Sequence, residues 1–117
     1  MLYAIEGLCH MGTDFGSILL LSTNQGEWSA KDYLKLPYAP MAIGLDSDKN
    51  FIIVTSSALL SVDVKTNITV LEEYAKWQPS KYHSSLVIKN DIVYIGMKEG
   101  IYKLNLKTKK AEWLLPN

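Results

Sequence analysis

A chain of 117 residues, 48% of them hydrophobic, has the length of one domain and enough apolar side chains to close a core without disulfide or metal staples. Its 12 basic and 12 acidic residues cancel, so no whole-molecule charge draws it to nucleic acid or to an anionic membrane surface, and neither is an expected partner. Every basic residue is a lysine, which removes the bidentate fork that arginine brings to phosphates and guanine edges.

The first predicted element is a short strand over Leu2 to Glu6, followed by the loop-like stretch CHMGTDFG. Cys9 is the single cysteine and has no disulfide partner in the chain. With no charged, apolar, small-residue leader at the start, it points to a reducing, cytoplasmic setting. Neighbours on a strand face opposite ways, so Cys9 and His10 are read as structural residues and not as a nucleophile and its base. From Gly16 to Trp28 the sequence predicts an apolar strand, a polar turn and the start of a second strand. Ser29 to Leu34 either continues that strand or makes one helical turn before Pro37. The longest apolar stretches, such as Ile18 to Leu21, are far too short to cross a bilayer.

Met41 to Leu45 reads as another short strand, ended by DSDKN at 46 to 50. Asp46, Asp48 and Asn50 have the spacing that opens a calcium loop, but Phe51 stands where glycine is required and Ser57 where a bidentate glutamate is required, so the segment is read as a hairpin turn. The strand pair within Phe51 to Thr66 follows, then Ile68 to Leu71. One cysteine and two separated histidines make a poor zinc set, and there is no glycine-rich phosphate loop; no metal, no cofactor and no catalytic residue is expected. His83, ahead of Ser84 and Ser85, is read as a turn residue. Strands are predicted at Ser85 to Ile88, after the turn KND at 89 to 91 through Val93 to Thr108, and at Ala111 to Leu115.

Sliding the chain by 42 positions lays Phe51 to Thr66 over Val93 to Thr108, with Leu60, Val62 and Val64 falling on Tyr102, Leu104 and Leu106. Gly16 to Trp28 aligns with Gly100 to Trp113 with one gap, which makes a third copy whose opening strand is missing because the chain starts at Leu2. The expectation is an all-β, single domain of about three tandem four-stranded antiparallel units, near 1–37, 38–80 and 81–117. On these residues the sequence resembles β-propeller blade repeats of the quinoprotein-like and sugar- or peptide-binding kind over nearly its whole length. The alternative is an antiparallel β-sandwich. Three units are fewer than a propeller usually needs to close. Open strand edges are therefore expected, paired either in a homodimer or by a different protein.

Charge is uneven: residues 1–80 hold five lysines against nine acids, and residues 81–117 hold seven against three. In general character the chain is similar to the small cytoplasmic immunity proteins that bacteria encode beside contact-dependent toxins. That resemblance implies a non-catalytic protein that binds and blocks a cognate toxin. Asp46, Asp48, Glu72 and Glu73 are the acids expected to face basic groups of the partner. Among aromatics placed in the connections between units, Tyr33, Tyr38, Tyr74, Trp77 and Tyr82, the last three are expected to supply partner contact. The alternative function is a lectin-like half propeller in which Trp28, Trp77 and Trp113 stack on sugars.

Overall fold

The computed structural model describes residues 2–10, 13–73, 85–97 and 100–114, and they hold eleven strands and no helix, so no helix long and apolar enough to cross a membrane. Strands β1 (Leu2–His10), β2 (Thr13–Asn24) and β3 (Glu27–Leu36) form the first antiparallel sheet. The second contains β4 (Pro40–Leu45), β5 (Phe51–Thr55), β6 (Ala58–Val62) and β7 (Ile68–Glu73), and the third β8 (Ser85–Lys89), β9 (Ile92–Met97), β10 (Gly100–Asn105) and β11 (Ala111–Leu114). In every sheet the chain neighbours are also the sheet neighbours, and no sheet closes on itself. Ser29 to Leu34 continues a strand and makes no helical turn.

Turn chemistry sets these meanders. Asp46 Oδ1 accepts from the Asp48 and Asn50 backbone N–H groups at 2.9 Å each, and Asn50 Nδ2 donates to Oδ2 at 3.1 Å. Asp63 repeats the arrangement with Lys65 and Asn67 at 2.9 Å and the Asn67 side chain at 3.0 Å. The fourth residue of each turn, Lys49 or Thr66, takes the left-handed conformation at φ 64° or 66°. Asn105, 42 positions after Asp63, caps Lys107 and Thr108 in the same way in a turn one residue longer. The tight hairpins at Gln25–Gly26 and Asn90–Asp91 have both central residues at positive φ, the twist that suits right-handed strands.

The second sheet lies between the other two and is apolar on both faces. Ile53, Ala58, Leu60 and Val62 pack with Ile18 and Leu36 of the first sheet, while Ile52, Val54 and Leu59 pack with Val93, Ile95, Tyr102 and Leu104 of the third. This double burial explains why FIIV and ALL run unbroken where a one-sided strand would alternate. Leu59 and Leu60 are both fully buried, one toward each neighbour. Truncating either to alanine would cost about 2–5 kcal/mol, the range for buried leucines that leave a cavity.

The joint between the first two sheets depends on two glycines. Gly7 and Gly16 are cross-strand partners, and the Pro40 ring at the start of β4 rests where their Cβ atoms would be. β4 in turn packs against β8, with Gly44 leaving room for Ile88. The initial strands thus lie side by side, β1 against β4 and β4 against β8.

Candidate binding cleft

One aspartate ties each joint between sheets. Asp14, on the face of β2 toward the second sheet, accepts from the Ala39 N–H at 2.7 Å, from Ser56 Oγ at 2.7 and 2.8 Å, and from Ser57 Oγ at 3.0 Å. Asp91, in the β8–β9 turn, accepts from Ser47 Oγ at 2.7 and 2.9 Å and from the Ser47 N–H at 3.2 Å, with Lys107 Nζ 3.7 Å away. The bonds from Ser47, and then the Lys107 charge, hold the Asp91 carboxyl below its ordinary value of 3.8. Ser56 and Ser57 mark a turn in the sequence, but nothing there signals an acid 42 positions upstream.

Between the second and third sheets runs a cleft in two parts. The part beside the Asp91 tie, about 210 Å³, is lined by Asp46, Asp48, Leu71, Asp91, Lys107 and Lys109 among others. Lys109 also lines the second part, about 420 Å³, together with Glu72, Tyr102, Ala111, Glu112 and Trp113. Trp113 is the cross-strand neighbour of Tyr102, on the face of the third sheet that turns toward the second. Their rings meet edge to face, with centroids 5.4 Å apart at 73°, and the indole remains 38% exposed. Burial first, then the hydrogen bond and negative charge of Glu72, push the Tyr102 phenol above its ordinary value of 10.

A β-bulge places Glu72 in this cleft. The register of β6 and β7 shifts between Leu59 and Leu60, so Leu71 is the extra residue and both Leu71 and Glu72 turn toward the third sheet. Glu73, paired with Ala58, faces the other way. The four expected acids are therefore divided. Asp48 and Glu72 line the cleft; Asp46 lines it too but spends both carboxylate oxygens on its own turn; Glu73 lies on the opposite face. Tyr74, Trp77 and Tyr82 lie outside the described residues, as does His83.

The structure corrects two further placements, those of Tyr33 and Trp28. Tyr33 is not in a connection: it is the extra residue of a bulge in β3, where its ring packs 5.2 Å from Tyr3 in the first joint. Tyr38 does lie in a connection, between β3 and β4, and is half-buried against the same cluster. Trp28, aligned with Trp113 in sequence, has a different environment. The two-residue turn at Gln25–Gly26 puts it opposite Thr23 near a hairpin tip, 62% exposed, whereas the longer turn before β11 brings Trp113 onto Tyr102. Trp113 and its cleft partners Lys109 and Glu112 were not among the expected partner-binding residues, although the apolar alternation of β10 passes through Tyr102 and implies a ring there.

The geometry defines an all-β chain of three stacked antiparallel sheets with a cleft at the second joint. Compared with known proteins, it matches no family model, no curated protein and no solved structure.

Proposed function

We propose that this chain is a non-catalytic protein-binding module, an immunity protein that binds and blocks a cognate bacterial toxin in the cytoplasm, and that its three sheets are blade-like units of an incomplete β-propeller. The blade reading draws support from the 42-residue offset, which carries β5 and β6 onto β9 and β10, and from the side-by-side first strands. The binding reading rests on one observation: a half-exposed tryptophan stands in a cleft beside Glu72, with Asp48 farther along. An aromatic ring beside a carboxylate suits a lysine or arginine side chain of a partner, through the ring face and through charge. A toxin that needs such a basic residue for its own substrate would be blocked by its capture here.

The test is calorimetric titration against the C-terminal domain of a toxin encoded in the adjacent reading frame. Trp113→Ala should weaken binding by about 2 kcal/mol or more, as loss of an interface anchor does, with the folded state checked by circular dichroism. Full-strength binding by this variant would remove the cleft from the account. A lectin-like module is the second reading, favoured by the same indole and carboxylate in a groove of about 420 Å³. Asp48→Lys and added salt separate the two: both weaken capture of a basic protein group and leave a neutral sugar unaffected.

A further inference from the structure

The two end sheets each leave one broad face uncovered by the described residues, and the faces differ in charge. On the first sheet, alternation places Leu2, Ala4, Glu6 and Leu8 of β1 away from the second sheet, beside Phe15, Leu19 and Leu21 of β2, with Asp32 and Lys35 of β3 completing the rows. Leu2, Leu8 and Phe15 are 53%, 48% and 53% exposed. On the third sheet, the face turned away from the second carries Val87, Tyr94, Ile101 and Leu114, with Lys89, Lys103 and Glu112 among them. Val87, Ile101 and Leu114 are 59%, 42% and 41% exposed. Apolar faces of this kind mark association surfaces.

We infer that two copies of this chain join head to tail, the outer face of the first sheet of each lying on the outer face of the third sheet of the other, in a closed dimer with two equal joins. Three observations select a second copy as the occupant. Both internal joints of the molecule are already apolar sheet faces laid together, and a third-sheet face on a first-sheet face repeats that kind of joint. The faces are complementary in charge, two acids and one lysine (Glu6, Asp32, Lys35) meeting two lysines and one acid (Lys89, Lys103, Glu112). Residues 1–36 carry four acids and two lysines, and residues 81–117 three acids and seven lysines. Area decides for closure. Four strands about 4.8 Å apart with six residues at about 3.3 Å make a face of roughly 400 Å² in plan. A stable interface takes about 800 Å² from each partner, so two joins reach the requirement where one does not. The surfaces lie on the far sides of the sheets, and the inference stands whether or not the cleft binds a toxin.

Sedimentation equilibrium at tens of micromolar and low salt should give twice the 13.2 kDa chain mass, with salt weakening the association. The E6K/D32K variant puts excess positive charge on both faces, and the K89E/K103E variant excess negative charge; each alone should be monomeric. Mixed in equal amounts, they should form a dimer again, because both joins of the mixed pair are then complementary. The mixture also shows that both variants are folded. A monomeric wild type, dimers of either variant as tight as wild type, or a mixture that stays monomeric would overturn the inference.

Discussion

Removing the Asp14 carboxylate should release the first joint between sheets. In Asp14→Ala the two serine hydroxyls can turn to water or to each other, since Ser56 Oγ and Ser57 Oγ are already 3.4 Å apart. The Ala39 N–H has no such freedom: its residue is 3% exposed and its acceptor is gone. A hydrogen bond to a charged group contributes about 1.5–3 kcal/mol, and a buried donor left unsatisfied costs about 1–3 kcal/mol, so the variant should lose about 3 kcal/mol. Asp14→Asn keeps an oxygen for the Ala39 N–H but loses the charge and one acceptor, and about half of the loss should remain. The assay is urea unfolding followed by tryptophan fluorescence, with Glu27→Ala, exposed beside a hairpin turn, as a control expected within about 0.5 kcal/mol of wild type. A loss under about 0.5 kcal/mol for Asp14→Ala would refute the reasoning, because the three donors would then have satisfied themselves elsewhere.

Gly16→Ala should be more damaging than Gly26→Ala, by about 2 kcal/mol in the same assay, because overpacking against rigid atoms costs about 1–3 kcal/mol or more. A Cβ on Gly16 would run into the Pro40 ring and lie 2.7 Å from the Glu6 carbonyl oxygen, whereas one on Gly26 meets nothing within 4 Å and bears only the strain of φ +85°. Asp91 is held below 3.8 in the folded chain, so its contribution is fully present above that value and lost as pH falls through the lower folded value. Acid unfolding of Asp91→Asn should accordingly show a shallower dependence in that window, and an unchanged profile would separate the tie from stability. Tyr102, raised above 10, should ionise after tyrosines of ordinary value in an alkaline absorbance titration, and its preference for the neutral form is lost as pH rises toward the folded value. Tyr102→Phe should delete that late step.

The parts of this fold that were legible in the sequence are those that repeat locally. The offset of 42 residues located β5, β6, β9 and β10, and the aspartate- and asparagine-rich turns located their ends, because strand alternation and turn capping are short-range effects. The first sheet was legible as strands, but not its packing on the second. The glycine that anchored its alignment, Gly16, is there for close approach to Pro40, a contact between sheets that no local pattern encodes. Glu72 and Glu73 looked equivalent until a single bulge turned them to opposite faces, and Asp14 gave no signal because its partners are distant in the chain. Asp48 and Glu72, acids at or near turns that stand out in the sequence, both line the cleft, whereas Trp113, named in the sequence only as a ring that could stack on sugars, comes beside Glu72 through the pairing of β11 with β10.

The most direct test of the cleft as the binding site is the set of single variants Asp48→Lys, Glu72→Gln and Glu73→Lys titrated against the toxin domain at low salt. Asp48→Lys and Glu72→Gln should each weaken binding by about 1–3 kcal/mol, the scale of lost interfacial charge contacts, while Glu73→Lys, on the opposite face, should bind as wild type does. Equal loss for Glu73→Lys, or none for the other two, would contradict the placement of the partner between the second and third sheets.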